Sequence, residues 1–138
     1  MEQTLMMIKP DAVARQLVGK ILDRVERSGL KVARLRMIQL RPEEARSFYR
    51  VHEGKPFLDA LVAFMSSGPI VVGVLEGENA IVRWRELMGA TDPAKAAAGT
   101  IRKDFAENIE RNSVHGSDAP ETARDEIEFY GLGLGLRG

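Results

Sequence analysis

The sequence predicts an α+β fold of the split βαβ, ferredoxin-like kind. Its elements run βαββαβ, giving a four-stranded antiparallel sheet with helices on one face plus an inserted helical pair. Three observations predict it. Leu5-Met6-Met7-Ile8 and the run Ile70 to Leu75 are continuously apolar, the pattern of buried central strands. Apolar residues at helical spacing follow the first of these runs and the second. Between the second and third strands, Pro42 to Met65 holds two helical patterns where a hairpin needs none. A length of 138 residues and 15.3 kDa fits one domain over 1–138, with a Gly/Leu tail at 131–138, and there is no internal repeat.

In chain order, the first strand runs from Thr4 to Ile8 and Lys9-Pro10-Asp11 ends it, because proline cannot continue a ladder. Val18, Ile21, Leu22 and Val25 form the apolar stripe of a helix that Gly29 closes. Ala33, Leu35 and Met37 then alternate with Arg34 and Arg36, which predicts a strand with the apolar set buried and the arginines solvated. Pro42 starts a helix carrying Ala45, Phe48 and Tyr49. After a break at Val51 to Pro56, Phe57 to Met65 forms another, and this pair suits the wall of a site. Asn79 is placed to cap the helix of Ile81, Trp84, Leu87 and Met88, with Trp84 expected in the core. Gly89 to Arg102 has no period; Ala94 to Ala98 reads as a helical turn or a mobile loop. A short strand at Ser113 to His115 is followed by Asp118 and Glu121, spaced as a capping box, and by the stripe Ala123, Ile127, Tyr130. The tail matches G-x-G-x-x-G over 133–138, but no strand leads into it and it carries no nucleotide-binding meaning.

Composition narrows the function classes. Lys plus Arg equals Asp plus Glu at 20 each, so nothing draws the chain toward nucleic acid or an anionic membrane. There is no cysteine, which excludes disulfides and thiolate metal sites, and two histidines do not make a structural zinc centre. No apolar run has the length of a membrane span and no signal peptide is read, so the expected location is cytoplasmic.

The chemistry concentrates in Asn112-Ser113-Val114-His115-Gly116-Ser117-Asp118. Imidazole is partly neutral near pH 7 and can carry a covalent intermediate. Gly116 leaves one flank of that ring open and permits positive φ. The same residues also read as a turn histidine after a short strand. Lys9, at a strand end, reads either as a phosphate contact or as a solvated lysine. No G-x-x-x-x-G-K-[ST] is present, so phosphates must be held by side chains, and arginine forks suit them.

Taken together, Asn-x-x-His-Gly-Ser-Asp resembles the active-site signature of the nucleoside diphosphate kinases. Ile8-Lys9-Pro10-Asp11, Ser67-Gly68-Pro69, Met88 to Pro93 and Gly99 to Arg102 match the same family in the same order, so the similarity runs from about Thr4 to about Tyr130. The resemblance implies the same fold and a broad-specificity enzyme that moves the γ-phosphate of a nucleoside triphosphate, mainly ATP, onto nucleoside diphosphates by a ping-pong route through phosphorylated His115. It implies that Arg85, Thr91 and Arg102 hold phosphates, that Phe57 stacks the base across from Ile109 with Leu61 lining the mouth, and that Lys9 and Asn112 contact the ribose. It places Tyr49 near His115 and assigns Glu126, supported by Ser117, to the far nitrogen of the imidazole. Mg²⁺ is expected to arrive with the nucleotide rather than in a carboxylate cage. The family implies a homo-oligomer, a tetramer or a hexamer.

This chain departs from the family pattern at Ala12, Leu58 and Ala98, none of them catalytic, and in its Gly/Leu tail, which bears on subunit contacts. A nucleotide-sensing module without chemistry would need Phe57, Arg85 and Arg102 but not His115, Glu126 and Lys9 as well.

Overall fold

A computed structural model describes residues 1–133. Among them, four strands form one sheet in the order β2-β3-β1-β4, every neighbouring pair antiparallel. The strands are β1 (Glu2–Ile8), β2 (Lys31–Ile38), β3 (Ile70–Gly77) and β4 (Val114–Gly116). The two continuous apolar runs occupy the centre of the sheet, as their pattern requires. The expected ferredoxin-like order is the one found.

Alternate residues of the central strands enter two separate cores. Met6 and Ile8 of β1 and Val71 and Leu75 of β3 pack under α1 (Pro10–Ala14), α2 (Val18–Arg27), α5 (Ala80–Met88) and α6 (Ile101–Phe105). Leu5 and Met7 with Val72 and Val74 pack under α3 (Pro42–Phe48), α4 (Leu58–Met65) and α7 (Pro120–Phe129). The two crossover helices α2 and α5 share one face, as expected. The inserted pair and the last helix cover the other, so the central strands β1 and β3 are dry on both sides.

Several local expectations change. The expected burial of Ala33, Leu35 and Met37 does not hold. Leu35 is 49% and Met37 58% exposed, and only Ala33 of the three packs on a core. The reason is position: β2 is an edge strand with a bulge between Val32 and Arg34, and neither Leu35 nor Met37 joins either core. Arg36 on the same strand is not simply solvated, since it donates to the Tyr130 carbonyl at 3.4 Å.

Lys9-Pro10-Asp11 does more than end β1. Pro10 opens the short helix α1 from an extended Lys9, where a missing N–H costs nothing. Residues 101–105, read as a connection, form α6 with the Thr100 hydroxyl accepting from the Lys103 N–H at 3.3 Å. Pro93–Lys95 is a 3-10 turn.

Neither predicted side-chain cap forms. Asn79 does sit before α5, at φ 53°, but its side chain makes no cap bond; Glu2 Oε1 accepts the Ile81 N–H at 2.9 Å instead. Ala119 rather than Asp118 precedes α7, and Asp118 pairs with Arg85. Of the Gly/Leu tail, Gly131 closes α7 at φ 68° and Leu132 is buried in the core; residues 134–138 lie outside the described residues.

Candidate active site

His115 sits mid-strand in β4, opposite Met7 of β1. Paired residues project to the same side, so the ring points toward α7 and the inserted helices. Its Nε2 lies 3.0 Å from Glu126 Oε2. The other Glu126 oxygen accepts the Ser117 hydroxyl at 2.7 Å, and Ser117 Oγ accepts the Leu5 N–H at 3.3 Å. This chain of bonds assigns the ring proton to Nε2 and leaves Nδ1 as the available lone pair. Behind the ring, Phe48 meets it edge-on with centroids 5.8 Å apart. In the sequence Phe48 is marked only as a residue of the helix that Pro42 starts.

Gly116 serves a different purpose from the one its sequence position suggests. It does not adopt positive φ. A Cβ there would lie 2.4 Å from Trp84 Cδ1 and 2.5 Å from Trp84 Nε1. The buried Trp84 thus closes on the strand and donates its indole N–H to the His115 carbonyl at 3.2 Å. The residue with positive φ is Ser113, at 74°.

The imidazole opens onto a cavity of about 300 Å³ lined also by Lys9, Arg85, Thr91, Arg102 and Asn112, with Asp118 at the rim. Six of the residues singled out by sequence therefore converge: Lys9 from the junction of β1 and α1, Arg85 from α5, Arg102 from α6, His115 from β4, and Thr91 and Asn112 from loops. Lys9 Nζ donates to Asn112 Oδ1 at 2.9 Å. Burial, then the nearby Arg102 charge, pulls the Lys9 pKa down to about 8 against the opposing pull of Asp11. Arg102 is buried and donates to the carbonyls of Gly89 and Val114, each at 2.9 Å, while its Nε has no partner. Burial and then Arg85 lower its pKa to about 10.

Lys9 and Arg102, each pulled down by a neighbouring cation, and Arg102 with an orphaned donor, form with Arg85 a receptor for a polyanion. Among the described residues no cluster of three His, Cys, Asp or Glu could hold a metal, and the sole carboxylate on this cavity is already paired with Arg85. Mg²⁺ fits this donor set only as part of a phosphate complex.

The remaining named residues stand away from the cavity lining. Phe57 and Ile109 are 49% and 52% exposed, and Leu61 is half-buried against the core beneath the inserted pair. Tyr49 is buried beside Phe48, its hydroxyl without a partner, and burial followed by the Glu126 charge pushes its pKa up.

Residues 2–131 match the sequence profile of the family described as nucleoside diphosphate kinase. A nucleoside diphosphate kinase of Halorhodospira halophila is 61% identical over 129 residues, covering 94% of this chain and 92% of that one. One from Campylobacter fetus is 60% identical over 130 residues, covering 94% and 95%. Among solved structures, the Aquifex aeolicus nucleoside diphosphate kinase superposes with a TM-score of 0.93 at 46% identity, covering 99% of each chain. The Halobacterium salinarum nucleoside diphosphate kinase, solved in complex with CDP, gives 0.90 at 43% identity, covering 94% of this chain and 86% of that one.

Proposed function

The chain belongs to the nucleoside diphosphate kinase family, and from that premise we propose that it transfers the γ-phosphate of ATP to nucleoside diphosphates through His115. One observation carries the assignment: His115 Nε2 is held on Glu126 at 3.0 Å while the ring faces a cavity lined by Lys9, Arg85 and Arg102.

The Nδ1 lone pair attacks the γ-phosphorus in line. The bond to the bridging oxygen breaks and the diphosphate leaves with that electron pair. Glu126, steadied by Ser117, stabilises the positive charge that the phosphorylated ring acquires, the role an orienting carboxylate has in a triad. Arg85, Arg102 and Lys9 hold the equatorial oxygens, and Thr91 adds a hydroxyl donor. In phosphoryl transfer such positioning and charge stabilisation supply most of the rate. When bound with the nucleotide, Mg²⁺ supplies charge neutralisation across the phosphate oxygens. A second diphosphate entering the same place takes the phosphoryl group back in reverse.

Asn112 and Lys9 serve the ribose, and Tyr49 supports the ring from the Glu126 side. Phe57, Leu61 and Ile109 offer the base an apolar clamp; the exposure of Phe57 and Ile109 supports stacking without hydrogen-bond readout, which accepts any base. We further propose one catalytic domain over 1–138 working in the cytoplasm as a homo-oligomer of four or six chains. The apolar Leu35 and Met37 left open on edge strand β2 support self-association. Among the described residues no helix is long and apolar enough to cross a membrane.

The test is to mix the protein with γ-labelled ATP and Mg²⁺ without acceptor, beside His115→Ala. The expected outcome is acid-labile, alkali-stable label on the wild type alone, discharged by GDP. Wild-type protein that binds ATP and takes up no label would refute the enzyme.

A further inference from the structure

We propose that Asp11 is a positioning residue whose carboxylate holds the strained turn at Ser113 and thereby fixes the groups that this turn presents to the phosphate cavity. The inference rests on the phosphotransfer reading above.

The turn is short and costly. The Val114 N–H donates to the Asn112 carbonyl at 2.9 Å, closing a three-residue loop around Ser113 at φ 74°. This is the rarer, positive-φ form of the γ-turn. A non-glycine residue held there is strained and persists only where its surroundings fix it. Two contacts do so. On the main chain, the Lys9 N–H donates to the Ser113 carbonyl at 2.8 Å. On the side chain, the Ser113 hydroxyl donates to Asp11 Oδ2 at 2.9 Å.

Both side chains of that second contact are buried. Arg15 also reaches them, at 3.4 Å to Asp11 and 3.3 Å to Ser113. Its side chain is 38% exposed and its contacts are longer, so Asp11 is the stronger anchor. Asp11 keeps one oxygen buried with no partner, a cost that a purely structural position would not retain without return.

What the turn delivers is the reacting end of the site. Asn112 Oδ1 accepts from Lys9 Nζ at 2.9 Å. The Val114 carbonyl accepts from Arg102 at 2.9 Å. His115 is the next residue. A turn that relaxes toward ordinary φ moves all three together, and misplacement by about 1 Å can cost on the order of a hundredfold in rate. The turn thus ties α1, through Asp11, to the chemistry on β4.

The experiment is rapid-quench measurement of label transfer from γ-labelled ATP onto His115, with thermal melts and ADP binding alongside. Asp11→Ala is expected to slow labelling by roughly ten- to a hundredfold. Asp11→Asn, which keeps an acceptor for Ser113, recovers most of the loss. So does Asp11→Ala combined with Ser113→Gly, because glycine takes positive φ without strain. A merely structural Asp11 would not be rescued by removing a second side chain.

Labelling at the wild-type rate in Asp11→Ala overturns the proposal. So does a slow Asp11→Ala that Ser113→Gly leaves slow, and a shift of the alkaline limb of the kcat/KM profile to lower pH in that case assigns Asp11 to Lys9 instead, because the Asp11 charge is what raises the Lys9 pKa. If Asp11→Ala does not fold, Ser113→Ala removes the hydroxyl alone; it must slow labelling about tenfold, and wild-type labelling there also overturns it. Wild-type protein that binds ADP and accepts no label ends the phosphotransfer reading and this inference with it.

Discussion

Lys9 shows how a single side chain can trade stability for readiness. Its drop from 10.5 to about 8 corresponds to about 3 kcal/mol against the charged form. At pH 7 the buried ammonium is therefore a burden on the free protein, relieved when phosphate arrives. Lys9→Met is expected to melt higher than wild type at pH 7 while losing phosphotransfer. Between pH 8 and 10.5 the unfolded chain holds more Lys9 protons than the folded one, so this residue's contribution to stability improves as pH rises through that window. The advantage of Lys9→Met should shrink accordingly between pH 7 and pH 9.5. Melts of both proteins at the two pH values check it, and a constant gap would contradict a charged Lys9. The kcat/KM profile should fall above about pH 8, with the fall in kcat lying higher because bound phosphates retain the proton. Lys9, Asn112, His115 and Arg102 were legible as residue types in a pattern. The partner of Asp118 was not, because a carboxylate after a strand and before a helix has the same local signature whether it caps or pairs.

Between elements, the contact of α5 with β4 decides where the imidazole sits. Trp84 packs against the bare backbone of Gly116 and donates to the His115 carbonyl. Gly116→Ala places a methyl group 2.4 Å from the indole, with Met88 Cε at 2.8 Å on the same spot. Overpacking of this kind costs about 2 kcal/mol or more, a Tm lower by roughly 6 °C. The variant is expected to melt lower and to label slowly, because the histidine's own carbonyl moves with the strand. Calorimetry and the labelling assay measure the two effects, and a wild-type melt would mean that Trp84 yields without cost. The helices were legible from their apolar spacing, as α2 and α5 illustrate. Their caps were not: the carboxylate that caps α5 comes from Glu2, 79 residues earlier in the chain.

For the whole molecule, two cores on opposite faces of one sheet make β1 and β3 rigid from both sides. That rigidity lets Lys9 at the end of β1 and groups from α5, α6 and β4 share a cavity of about 300 Å³. On the edge strand β2, Leu35 and Met37 stand open. The assembled protein is expected to scatter light as four or six chains, and Leu35→Glu with Met37→Glu to reduce that mass. A single-chain mass for the wild type would contradict assembly. An unchanged mass for the variant would place the contact elsewhere.

The sequence by itself determined the central strands and the crossover helices and singled out six residues that line the cavity, because periodicity and motif spacing are local properties of the chain. It could not decide which face each helix covers, since alternation in β1 reads the same for one core or two. Nor could it decide that Leu35 and Met37 stay exposed, since an edge strand and a central one can share the same alternation. The tertiary structure alone joined Glu2 to α5, Asp118 to Arg85 and Asp11 to the Ser113 turn. Those contacts link residues far apart in sequence, and each is settled by which partner the packing brings within hydrogen-bonding distance.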